Sequence, residues 1–112
     1  MSISVADAKR TSLERKLREQ LLHDCSVSVS IGYRPVAFQR MLADHGPVEA
    51  CRQVIMSTKI PDGFLRLWEL KRVDLTAEAT ILAGPWKELF GQEILDRARR
   101  RLKEYQRPDL AN

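Results

Sequence analysis

Three groups of residues in this chain have types and spacings that could do chemistry. The first is Pro61-Asp62 followed by Glu69-Leu70-Lys71, which satisfies the letters of the PD-(D/E)xK nuclease signature. That chemistry uses two carboxylates to hold a metal ion and a lysine beside the attacking water. Its groups belong on adjoining strands, where residues two apart share a face. Here the intervening GFLRLW spaces its apolar groups as a helix does, and on a helix Glu69 and Lys71 point about 200° apart. Asp62 is then expected as the N-cap of that helix. A metal-dependent nuclease is therefore the remotest reading.

The second group is His23, Cys25, His45 and Cys51, all acceptable zinc ligands. Their spacing, H-x-C, nineteen residues, then H-x5-C, lacks the paired cysteines of a zinc module. No metal site and no cofactor is expected. No Ser-His-Asp or Cys-His arrangement has support. The five glycines stand singly at expected helix ends, so no phosphate-cradling loop is present. The chain is expected not to be an enzyme.

The third group is the basic run RARRRLKEYQR near the C-terminus. Arg99, Arg101, Lys103 and Arg107, joined by Lys9, Arg10, Arg15 and Lys16, could follow the phosphates of DNA or RNA, each contact adding a salt-dependent increment. The competing reading is a solvated helix face. Glu93–Arg97, Asp96–Arg100 and Arg100–Glu104 are spaced for pairing along one helix, and no exposed aromatics are interleaved for base stacking. The solvated face is preferred.

Bulk composition bounds these choices. The chain has 112 residues, 44% hydrophobic and 30% charged, a globular composition of single-domain size. A net charge of +4 makes acidic partners reasonable, yet is also ordinary for a small domain. Two cysteines are too few for a disulfide scaffold, so a reduced, cytoplasmic protein is expected. The N-terminus lacks an apolar run of signal-peptide length, and no stretch approaches the roughly 20 apolar residues that span a bilayer. No membrane partner is expected.

The elements that would position these groups read as helices. Residues 1–10 are expected to be frayed or weakly helical. A helix should begin at Thr11, with Glu14 at capping-box spacing and Leu13, Leu17 and Leu21 as a narrow stripe. That stripe docks on the body of the domain or meets another chain, as a protein interface or through homodimerisation of this helix. Docking is favoured by the loop that follows. Ser26–Ile31 alternates polar and apolar residues, so it is read as an extended connector or a poorly propensed continuation of the helix.

Gly32 closes that segment and Pro35 opens a second helix, which ends at Gly46. Pro47 opens a third at once. A fourth should run from about Gly63 to Lys71, a turn at Val73-Asp74 leads to a fifth capped by Thr76, and Trp86–Phe90 forms a short turn that brings Trp86, Leu89 and Phe90 to the core. The last is expected over about Gln92–Gln106. No internal repeat is evident. The expected core comprises Phe38, Met41, Leu42, Cys51, Ile55, Phe64, Leu67, Trp68, Leu75, Ile81, Leu95, Ala98, Leu102 and Tyr105, with Trp68 at its centre.

The segments GYRPVAFQRML, HGPVEACRQVI, DGFLRLWELKRVDLT and EILDRARRRLKEY resemble a small bacterial domain family of uncharacterised function. The resemblance covers about residues 32–105 and carries over no catalytic residue. It implies an all-helical domain found alone or as a tail on larger bacterial proteins, some of them nuclease- or helicase-like, and hence a setting in nucleic-acid processing or defence. The family usually places a polar N-cap before the last helix, where this chain has Gly91.

Together these readings predict an all-α fold: an irregular orthogonal bundle of about six short helices with a single core. Residues 1–31 would form a charged helix and connector, 32–107 the compact domain and 108–112 a tail. The expected function is a non-enzymatic protein-interaction module with an unidentified protein partner. Direct DNA or RNA binding is the alternative.

Overall fold

A stripe of leucines sets the longest element. In the computed structural model, which describes residues 4–112, helix α1 runs from Val5 to Ser30. Leu13, Leu17 and Leu21, with Cys25 and Ser28 continuing the same face, are all buried. The helix starts six residues before Thr11, because Ser4 caps it: the Ser4 hydroxyl accepts the Asp7 amide at 3.1 Å. Residues 5–10 are thus helical, so the helical alternative prevails over fraying there, and residues 1–3 lie outside the described residues.

Residues 26–30 are helical too, so the continuation of α1 prevails over the extended connector. Two serines of the alternating stretch turn inward to the helix's own backbone. The Ser28 hydroxyl donates to the Asp24 carbonyl at 2.8 Å and the Ser30 hydroxyl to that of Val27 at 2.6 Å. Gly32 then closes the helix at φ +100°. The amides of Gly32 and Tyr33 bond back to the carbonyls of Val29 and Ser28, a Schellman end.

Five further helices follow: α2 (Val36–His45), α3 (Pro47–Met56), α4 (Asp62–Glu69), α5 (Ala77–Ala83) and α6 (Gln92–Glu104), with single 3-10 turns at Val73–Leu75, Lys87–Leu89 and Pro108–Leu110. Among the described residues there is no strand, and the fold is the expected all-α bundle. Gly46, at φ +85°, joins α2 directly to Pro47 of α3. Thr76 caps α5 as its position suggests, its hydroxyl accepting the Ala79 amide at 3.2 Å.

α4 and α6 end as α1 does, but without glycine. Lys71 (φ +60°) and Gln106 (φ +68°) occupy the left-handed position. The next amide in each case, of Arg72 or Arg107, reaches back to Leu67 or Leu102 at 2.8 Å. Each arginine then grips an aspartate two residues on, Arg72 with Asp74 and Arg107 with Asp109, through two hydrogen bonds. A 3-10 turn, Val-Asp-Leu or Pro-Asp-Leu, closes both. The chain therefore does contain a short repeat, KRVDL and QRPDL, too brief to stand out by eye.

α1 packs against α3 and α5, which with α6 enclose one core. Leu17, Ile55, Ile81 and Leu102 are fully buried, each contributing about 1.5–3 kcal/mol by leaving water. Of the fourteen residues expected inside, only Trp68 is exposed, at 44%; the others are buried or pack partly buried against the core. Trp68 leans edge-on against Tyr105, ring centres 5.7 Å apart. The place expected for it is taken by Phe64 and Leu67 from the same helix, and by Trp86, whose indole N–H donates to the Thr80 carbonyl at 2.8 Å. α1 supplies core residues as fully as the later helices do, so the core does not divide at residue 31.

Candidate functional site

The catalytic-looking letters come apart in the fold. Asp62 is the first residue of α4, whose N-cap is Pro61, and not the cap itself. Glu69 ends the helix and pairs with Arg66 at 3.3 Å. Lys71 is the left-handed residue beyond it. The three do not converge on a common point across neighbouring strands as the nuclease signature requires. His23 and His45 are exposed, whereas Cys25 and Cys51 are buried. Among the described residues no cluster of His, Cys, Asp and Glu could hold a metal ion.

The leucine stripe faces the core of its own chain. Leu13, Leu17 and Leu21 are the inner face of α1, at most 8% exposed. A homodimer through that stripe would have to strip the helix from its own core.

The basic set is dispersed. Arg101, expected on a phosphate-binding surface, is buried and bonded to Glu78 at 2.5 Å. Its guanidinium also donates to the carbonyls of Val54, Ile55 and Ser57 at 3.1–3.3 Å. A cation is favoured at this C-terminal end of α3, where the last carbonyls lack helical partners. Of the others, Lys9 pairs with Glu88, Arg10 with Glu14, Arg99 with Asp96 and Arg107 with Asp109. Arg15, Lys16 and Lys103 are exposed on two different helices. Arg99 also reaches the Asn112 carbonyl.

Two buried acids were missed by sequence reasoning. Glu78, in the first turn of α5, is the partner of Arg101. Burial pushes its carboxyl above the ordinary glutamate range, and Arg101 pulls it back. Asp24 lies on the inner stripe of α1, four residues before Ser28 and three after Leu21. The Thr80 hydroxyl donates to it at 2.7 Å and the Gln20 amide at 2.9 Å. Burial again raises its carboxyl, against the pull of those two hydrogen bonds. An acid in register with a leucine stripe was the readable signal. Glu78 had no comparable one, because its partner is 23 residues away.

Both acids face the same feature. A cleft of about 290 Å³ opens between the C-terminal half of α1, the start of α2, α4 and the Leu75–Glu78 segment. Its walls are chiefly apolar, with Phe38, Met41, Phe64 and Leu67 among them, and Asp24 and Glu78 line it too. Tyr33 stands at the side, half-buried, its phenol raised above its usual range by burial. The Tyr33 hydroxyl lies where a Cβ on Gly63 would collide with it, at 2.5 Å. Only glycine there lets the ring and α4 approach this closely. Cys25 also lines the cleft; burial pushes its thiol up to about 11.

No protein-family model, curated protein or solved structure matches the chain. No helix among the described residues is long and apolar enough to cross a membrane.

Proposed function

We propose that the chain is a non-enzymatic protein-interaction module that receives its partner in the cleft between α1, α2, α4 and α5. The observation that carries this reading is the cleft itself: an open depression of about 290 Å³ with largely apolar walls. Apolar surface left open in this way gains free energy when a complementary side chain displaces its water. The resemblance read from the sequence, to domains found alone or as tails on larger bacterial proteins, some of them nuclease- or helicase-like, supports a module that connects rather than catalyses. A cytoplasmic setting belongs to the same proposal.

The test exploits Ala37, which lines the cleft from an exposed position on α2. Ala37→Trp places a large ring over the opening without touching the core. Partner proteins captured by the wild-type chain and lost with Ala37→Trp, while circular dichroism shows the variant folded, support the reading. Capture unaffected by Ala37→Trp overturns it.

Direct binding of DNA or RNA remains the alternative, and its surface is now narrower. Arg15, Lys16 and Lys103 are the members of the basic set that are exposed with no ion pair formed among the described residues. Retention on nucleic acid at low salt that weakens when these three become alanine would favour that reading.

A further inference from the structure

This inference rests on the reading of the cleft as a partner site and deepens it. We propose that the partner segment carries a large apolar side chain with a lysine or arginine close beside it in sequence. The apolar walls select the first feature. The second follows from charge: the residues lining the cleft include Asp24, Asp62 and Glu78 but no lysine, arginine or histidine. That is a one-sided lining in a chain with 19 lysines and arginines and a net charge of +4. A basic segment is repelled by the net positive charge of the chain and drawn to an apolar depression lined by acidic groups and no basic ones. Such a pattern sets register and suppresses wrong docking.

The three acids do not act alike. The charge of Glu78 is taken up by Arg101, and Asp24 is held by Thr80 and Gln20. Asp62 is exposed in the first turn of α4 and lines the cleft next to Gly63, the residue on which the Tyr33 hydroxyl closes. A carboxylate beside an aromatic ring forms a seat for an ammonium or guanidinium group, through charge and through the face of the ring. The apolar anchor enters between Phe38, Met41 and Leu67, and the cation stays at the rim with Asp62 and Tyr33.

A random peptide library displayed on phage, panned on the full chain, tests this directly. The expected result is enrichment of sequences with a large apolar residue within a few positions of lysine or arginine. A synthetic peptide of the enriched sequence, followed by fluorescence anisotropy, should lose about fivefold to tenfold in affinity for Asp62→Lys. It should lose nearly all binding to Ala37→Trp. Thermal unfolding of Asp62→Lys like that of the wild type ties its loss to the rim. Enriched peptides that are acidic or uncharged yet still lost with Ala37→Trp overturn the charge inference alone and leave the cleft as the partner site. Peptides indifferent to Ala37→Trp, or no enrichment at all, overturn both. A dimer in sedimentation, broken by Ala37→Trp, identifies the occupant as a second copy and likewise overturns the inference.

Discussion

At the C-terminal end of α3 the Arg101 guanidinium meets one carboxylate and three backbone carbonyls, and this small cluster bolts α3, α5 and α6 together. Removing one partner strands a buried charge, so Glu78→Gln or Arg101→Met should cost about 3–5 kcal/mol in urea unfolding. The double variant Glu78→Leu/Arg101→Met should cost less than either single change, because no charge is left unpaired. Trp68 is the opposite case. It is nearly half exposed and keeps only the edge of Tyr105, so Trp68→Ala should cost about 1–2 kcal/mol. Leu17→Ala should cost about 3–4 kcal/mol. Cys25 supplies a pH dependence. Its thiol, ordinarily near 9.0, is raised to about 11 by burial and then by Asp24. The folded state therefore holds the proton more tightly than the unfolded one, and stability falls as pH rises from about 9 to 11. Denaturation midpoints across that range should decline for the wild type and decline less for Cys25→Ala.

Helix ends decide the element scale. α1 finishes with glycine at the left-handed position, whereas α4 and α6 finish with Lys71 and Gln106. A side chain there is disfavoured by about 1–2 kcal/mol. Part of that is returned by the greater freedom of glycine in the unfolded chain. Lys71→Gly and Gln106→Gly should therefore each stabilise the protein by about 0.5–1 kcal/mol, seen as a higher melting temperature. The same geometry explains why the ELK letters mislead: the lysine ends a helix and begins the Arg-x-Asp-Leu turn. The reach of α1 shows a second rule. Alternating serines and valines have the period of a strand, but serine can return its hydroxyl to the helix backbone, and the buried side of Ser28 gives the last turn a place to dock.

On the scale of the whole molecule, α1 is an integral wall of the fold. It carries core leucines, the buried Asp24 and one side of the cleft. A chain beginning at residue 32 would expose the inner faces of α3 and α5, and it should lose cooperative unfolding in a thermal melt. Retention of a sharp transition would show instead that residues 32–107 carry enough core by themselves.

Local and periodic features were legible from the residues alone. The all-α fold, the Thr76 cap, the Gly46-Pro47 corner and the inward placement of thirteen of the fourteen residues expected in the core could be read because caps, left-handed glycines and stripes of period 3.6 depend on near neighbours. Which side of the leucine stripe would find a partner, that Arg101 would turn inward while Lys103 stayed out, and that Trp68 would stay nearly half exposed were decided by tertiary structure. Each depends on a group distant in the chain: Glu78 for Arg101, Thr80 for Asp24, and the faces of α3 and α5 for α1. The cleft is of the same kind. Its walls come from segments more than forty residues apart, and its acidic lining exists only when Asp24, Asp62 and Glu78 are folded around the same space.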